Sequence, residues 1–253
     1  MTRVTTIINQ KGGVGKTTTA HALATGLTKR GLRVLVIDAD PQGNISYAMR
    51  ANTQQNGLYE AMRGVFSGIV QKTAQGDIVS SSLNLAGADM EFTSPGREYL
   101  LREMLEALPE KYDHVIIDSP PALGILTVNA LTAANDIVIP VGADIFSLQG
   151  LQQLLVTVSK VTKYSNAGLK IAGILITRKG NKAIATRQLI EAIEAQTEAL
   201  GIPLYRSVIR EGVAIREAQI MQESLFDAAP KAKVTEDYSS FIDEYLKGVK
   251  ADG

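Results

Sequence analysis

The chain has no cysteine and no tryptophan, and its 253 residues include only two histidines and five phenylalanines. Without cysteine there is no disulfide, no thiolate zinc site, no cysteine-ligated iron–sulfur cluster and no cysteine nucleophile. The two histidines, His21 and His114, are too few for a multi-histidine metal site, and neither sits in a serine/aspartate pattern suggesting a catalytic triad, so both are expected to be structural. No run approaches the roughly 18 apolar residues of a membrane span. The opening MTRVTTIINQ lacks a basic segment leading into an apolar stretch and a cleavage site. A soluble, cytoplasmic protein is the expectation.

Charge of one sign is also lacking. Lys+Arg 26 balance Asp+Glu 26, so attraction to nucleic acid must come from a local patch rather than the whole molecule. Residues 170 to 216 provide one, with eight basic side chains against four acidic ones. Hydrophobic residues make up 45%, enough for a sizeable core, and the length suits one large α/β unit, so residues 1–253 are read as a single domain.

Short β-branched apolar runs recur at Val4 to Ile8, Val34 to Ile37, His114 to Ile117, Ile137 to Val141, Ile171 to Ile176 and Leu204 to Ile209. They are too apolar for half-exposed strands. Helical patterns lie between them at Thr17 to Lys29, Glu98 to Leu108, Leu148 to Lys163 and Thr186 to Leu200, several followed by a closing glycine. This alternation predicts an α/β fold: one doubly wound, mostly parallel sheet with helices on both faces. Residues 52 to 82 are polar and poorly periodic and are expected to form a helical and loop insertion. Thr235 to Leu246 carries Tyr238, Phe241, Ile242, Tyr245 and Leu246 at helical spacing, which predicts a final helix packed on the sheet.

The most informative stretch is Gln10-Lys-Gly-Gly-Val-Gly-Lys-Thr-Thr18, directly after a strand and directly before a helix. That is the setting of a phosphate loop. Gly12, Gly13, Val14 and Gly15 let the backbone turn N–H groups toward phosphate oxygens. The helix start adds its positive end, Lys16 a point charge, and Thr17 a hydroxyl for magnesium, with Thr18 beside it. The usual G-x-x-x-x-G-K-[ST] pattern has glycine where this chain has Gln10, and a second lysine, Lys11, follows.

Two strand ends deliver carboxylates. Asp38-Ala-Asp40-Pro-Gln-Gly-Asn44 closes the second predicted strand, and Val115-Ile-Ile-Asp118-Ser-Pro-Pro121 closes the third. A carboxylate at the carboxyl end of a parallel strand, beside a phosphate loop, can position magnesium or an attacking water. Asp40 and Asp118 are the metal candidates with Thr17, and Asp38 ranks second, as a brace of the loop.

The string KGGVGKTT resembles the deviant phosphate loop of the ParA/MinD family, and the resemblance extends to Ala122–Leu131 and Ile137–Gly150 (IVIPVGADIFSLQG), as in ParA and Soj partition ATPases. It implies ATP and magnesium as cofactors, with Lys11, Lys16 and Asp40 as the catalytic set: Lys11 reaches the phosphates of a second subunit in an ATP-bridged homodimer, and Asp40 is required for hydrolysis. It also places Thr177, Arg178, Ile209 and Arg210 at the nucleotide. Nonspecific double-stranded DNA and a ParB-like adaptor are the implied partners, with weak intrinsic hydrolysis and a nucleoid-associated location. Because the phosphate loop begins at residue 10, no extra amino-terminal DNA-reading domain or operator-specific repression is expected.

The carboxyl half departs from the family. Where a Pro-Arg-Asn-Val-Arg string often stands, this chain has Arg210-Glu-Gly-Val-Ala214, so the usual DNA-contacting arginine is Ala214. Arg178, Lys179, Lys182, Arg187, Arg210 and Arg216 are the remaining DNA candidates. Lysines and arginines on helices also form ordinary solvated faces. Two other readings share the fold. A MinD-like ATPase cycling on membrane would end in a basic amphipathic helix, whereas Glu236, Asp237, Asp243 and Glu244 stand in the tail here, and no membrane partner is expected. An amidoligase would need a substrate pocket that no motif announces. The electron-carrier branch, built like the nitrogenase iron protein, needs cysteines and is excluded.

Overall fold

A computed structural model describes residues 2–143, 147–180 and 183–251. In chain order the strands are β1 (Arg3–Ile7), β2 (Val34–Asp38), β3 (Val70–Thr73), β4 (Gly76–Val79), β5 (His114–Asp118), β6 (Asp136–Gly142), β7 (Lys170–Lys179) and β8 (Leu204–Arg210). The helices are α1 (Lys16–Lys29), α2 (Asn44–Ala48), α3 (Leu58–Met62), α4 (Ala88–Glu91), α5 (Leu100–Ala107), α6 (Ile125–Ala133), α7 (Ser147–Tyr164), α8 (Ala183–Ala199), α9 (Val213–Met221), α10 (Leu225–Ala228) and α11 (Lys233–Ala251). The strands form one eight-stranded sheet in the order β3-β4-β2-β5-β1-β6-β7-β8. Every pairing is parallel except β3 with β4.

The continuous apolar runs are explained by a core on each face of the sheet. Along β2, Leu35 and Ile37 point into the layer that includes α3, α5 and α6, while Val34 and Val36 point into the layer of α1, α2 and α11. With successive side chains on opposite faces and both faces covered, neither set can be polar.

Two elements refine the sequence reading. Residues 52–82 are not an insertion of helix and loop alone: beyond the short α3 they supply β3 and β4, a hairpin closed by Ala74-Gln75, and β4 pairs directly with β2. The strands escaped the pattern because each has only four residues and β3 is a half-exposed edge. The expected final helix is present as α11. Tyr238, Phe241, Ile242 and Tyr245 are all at most 1% exposed. Its approach to α1 is so close that a Cβ on Gly26 would lie 2.2 Å from Ile242 Cδ1. Its carboxylates tie down the last strand: Glu244 accepts from the backbone N–H of Arg206 and Ser207 at 2.7 and 3.0 Å, and Asp237 accepts from that of Arg210 at 3.0 Å. The acidic residues of the tail thus shield an open sheet edge.

The sheet's topology locates the site. The chain leaves the carboxyl end of β1 toward β2 on one side and leaves β5 toward β6 on the other, which opens a crevice at this switch point. Ligands of doubly wound sheets bind in such a crevice.

Candidate nucleotide site

At the end of β1 the backbone folds back over the sheet through Gly13 and Gly15, whose φ angles of +74° and +87° suit glycine. Helix α1 then starts at Lys16 with no side chain capping it, so its first amides are open to a ligand. The loop is held from outside. Asn9 Nδ2 donates to the Pro140 carbonyl at 2.7 Å while its Oδ1 accepts from Lys11 N at 2.9 Å. Thr177 Oγ1 donates to the Val14 carbonyl at 2.8 Å, and the Arg178 guanidinium to that of Gly13 at 2.9 Å. Arg178 adopts φ +54°, a left-handed conformation rare outside glycine, and also pairs with Glu211 at 3.2 Å.

Lys16 is buried, with Nζ 3.4 Å from the Lys11 carbonyl. Desolvation pulls its pKa below the ordinary lysine value, and the charges of Asp118 and Asp40 oppose that pull. A lysine so placed is short of water and favourably disposed toward an anion.

Asp38 and Asp118 lie side by side, paired in register across β2 and β5, and both are fully buried. Their surroundings differ. Asp38 accepts from Ser46 N at 2.9 Å, Ser46 Oγ at 2.6 Å and Asp40 N at 3.2 Å, and burial pushes its pKa up to about 7 against those donors. Its bonds brace the Asp40–Ser46 turn. Among the described residues neither oxygen of Asp118 finds a well-formed hydrogen bond. Burial and then the charge of Asp38 raise its pKa well above the usual carboxylate range, while the Thr17 hydroxyl and Lys16 pull it partway back. A buried carboxylate with idle oxygens beside a threonine hydroxyl fits the outer shell of a hydrated magnesium ion, which usually takes one or two carboxylates plus substrate phosphates.

Asp40 is 8% exposed and faces a cleft of about 820 Å³, together with Gly12, Lys16, Thr17 and Pro121. Its Oδ1 accepts from Gln42 N at 3.0 Å. On the other side of the loop an adjoining cleft of about 400 Å³ is lined by Gly13, Thr177, Arg178, Ile209, Arg210 and Tyr238. The four distant residues expected at the nucleotide, Thr177, Arg178, Ile209 and Arg210, therefore do converge on one wall. Gln219 of α9 reaches across to Thr18 Oγ1 at 3.3 Å and lines both clefts. No sequence motif marked it.

The basic residues are less unified. Lys179 and Arg187 are exposed, and Arg187 pairs with Glu191 at 3.4 Å. Arg216 is exposed but lines both nucleotide clefts. Arg210 is engaged by Asp237 through two bonds of 2.7 and 2.8 Å, and Arg178 by Gly13 and Glu211. Lys182 lies outside the described residues.

A glycine-rich turn on a central parallel strand, a buried lysine opening the next helix and an idle strand-end carboxylate opposite it define a P-loop nucleotide-binding protein of the α/β class. Comparison with known proteins is more specific. Residues 2–171 match the family model described as an AAA domain. The chain is 37% identical over 252 residues to the sporulation initiation inhibitor protein Soj of Bacillus subtilis, covering 96% of this chain and 98% of that one. It is 39% identical over 225 residues to the chromosome partitioning protein ParA of Caulobacter vibrioides, covering 85% and 83%. Among solved structures it resembles a cobyrinic acid a,c-diamide synthase from Mycobacterium smegmatis with bound ADP and magnesium (TM-score 0.87, 32% identity, 100% and 97% covered). It also resembles apo McdA of Cyanothece (TM-score 0.86, 25% identity, 97% and 100% covered). The chain belongs to the ParA/Soj family of partition ATPases.

Proposed function

We propose that this chain binds ATP with magnesium, closes into a two-fold homodimer around the nucleotide, binds duplex DNA in that state without reading its sequence, and lets go when a ParB-like adaptor stimulates hydrolysis. The observation that carries the reading is the two-lysine loop, whose Lys16 lies in the field of the idle Asp118 and of Asp40 and shares a cleft with Asp40. Thr17 and Asp118 would hold the magnesium ion, which when bound neutralises charge on the phosphate oxygens. The amides of Gly12 to Thr17 and the Lys16 ammonium cradle the phosphates. Lys11 enters the neighbouring subunit's site, which makes the dimer conditional on ATP. Asp40 orients the attacking water from the edge of the cleft.

Among the described residues no helix is long and apolar enough to cross a membrane. The apolar face of α11, which a MinD-like cycle would lend to a lipid surface, is spent on β8 and α1. That disfavours the membrane alternative.

Lys179 and Arg187, which among the described DNA candidates are exposed and clear of the clefts, are the first residues to reverse in charge. The double variant Lys179→Glu/Arg187→Glu should bind random duplex about tenfold or more weakly with ATP and lose about 0.9 of the salt slope per phosphate contact removed. ATP affinity should stay as in the parent. Unchanged DNA affinity and slope would place the DNA surface elsewhere.

A second reading follows from the likeness to the diamide synthase. A synthetase of that type would release phosphate only with a carboxylic acid substrate and an amino donor, and DNA would have no effect. Partition is preferred because several relatives, two of them matched over nearly the whole chain, are named for chromosome partitioning.

A further inference from the structure

The hairpin that the sequence conceals lies against the segment that follows Asp40. Its hydrogen bonds hold that segment at three points. Ser81, just past β4 and 1% exposed, donates its hydroxyl to the Asp40 carbonyl at 2.6 Å. Its own N–H donates to Ser46 Oγ at 3.0 Å, and that hydroxyl passes on to Asp38 at 2.6 Å. At the hairpin tip Gln75 Nε2 donates to the Ala48 carbonyl, the last residue of α2, at 2.8 Å, and to the Gln222 carbonyl at 3.1 Å. With both amide hydrogens committed, Gln75 Oε1 must accept, so His21 of α1 donates to it from Nε2 at 2.8 Å. Burial lowers the pKa of His21, consistent with a neutral ring in that role.

One short hairpin thus joins four parts of the nucleotide site: the helix after the phosphate loop, the turn carrying Asp40, the end of α2, and the segment after α9. We propose that Ser81 and Gln75 are positioning residues for hydrolysis, fixing the backbone of Asp40–Ala48 so that the Asp40 carboxylate stands at the phosphate end of the cleft. The inference rests on the reading of Asp40 as the residue that orients water. The physical reason is lever-like. Asp40 sits in a turn of Pro41, Gln42 and Gly43 outside the strands, and among the described residues its carbonyl is otherwise bonded only within the turn, by Gly43 N at 2.9 Å. Releasing the Ser81 bond leaves that carbonyl satisfied and the fold intact, but frees the turn to move. A displacement of about 1 Å at a reacting group costs on the order of a hundredfold in rate, so partial release should cost about tenfold.

The test compares the full-length parent with Ser81→Ala and, separately, with Gln75→Ala at the half-exposed hairpin tip. Three quantities are read: ATP affinity, phosphate release at saturating ATP and magnesium, and amide hydrogen exchange of the nucleotide-free protein. Expected for both variants are ATP affinity within about twofold of the parent, phosphate release about tenfold slower, and exchange about tenfold faster confined to Asp40–Ala48. Parental exchange and parental turnover in both variants would overturn the proposal. So would a uniform loss of affinity, turnover and protection across the sheet, which marks a merely structural role. If the parent itself hydrolyses no ATP, the reading of Asp40 fails, while the exchange at Asp40–Ala48 still decides whether the hairpin holds the turn.

Discussion

Lys16→Ala should bind ATP at least about a hundredfold more weakly than the parent while remaining folded. The size follows from what the side chain is set up to do. Its ammonium is buried beside the phosphate-loop turn, already stripped of much of its water, and offers charge-assisted hydrogen bonds worth about 1.5–3 kcal/mol each to phosphate oxygens. Losing the equivalent of about 3 kcal/mol changes affinity by roughly two orders of magnitude. The fold should tolerate the change because Asp118, the carboxylate left facing the gap, already holds its proton more tightly than an ordinary aspartate. Calorimetric titration with ATP and magnesium, alongside circular dichroism to confirm the fold, reads the result. ATP affinity within a few-fold of the parent would remove Lys16 from the phosphates.

Asp40→Ala should show the opposite split. Nucleotide still binds, since the loop amides, Lys16 and Thr17 are untouched, but single-turnover hydrolysis falls by about 10²–10³, the usual worth of a positioned proton acceptor or water-orienting group. Asp40 is nearly buried yet lines the cleft, and a backbone amide holds one of its oxygens, so it arrives pre-oriented. The variant should accumulate in the ATP state. A parental rate would show that another group orients the water. Loss of ATP affinity instead would make Asp40 a metal ligand first.

What could be read from the sequence was whatever local chemistry dictates. A glycine turn between an apolar strand and a helix has one main use, so the Gly12 to Thr18 loop could be proposed without coordinates, and it does join β1 to α1. The strands buried on both faces announced themselves as unbroken apolar runs, and α11 by its helical spacing of aromatic residues. The hairpin β3–β4 was illegible for the converse reason: its strands are short, polar and at the sheet's edge, and their register comes from pairing with β2 rather than from any pattern of their own. Ser81 and Gln75 were invisible with it, because a serine and a glutamine become positioning groups only through the carbonyls that they meet. The difference between Asp38 and Asp118 was only half legible. Both end apolar strands, and it is Ser46, eight residues on from Asp38, that satisfies one carboxylate and leaves the other idle. Charge was the least readable. The basic excess of residues 170–216 was countable, but the sequence did not show that Arg178 and Arg210 are engaged by Glu211 and Asp237.

The central claim is that nucleotide governs attachment to DNA. The measurement that bears on it most directly is the affinity of the full-length protein for random-sequence duplex DNA with ATP and magnesium, with ADP and magnesium, and without nucleotide, each at two salt concentrations. Tight binding with ATP alone, falling steeply as salt rises, is the predicted result. Equal affinity in all three nucleotide states, or no binding in any, would contradict it.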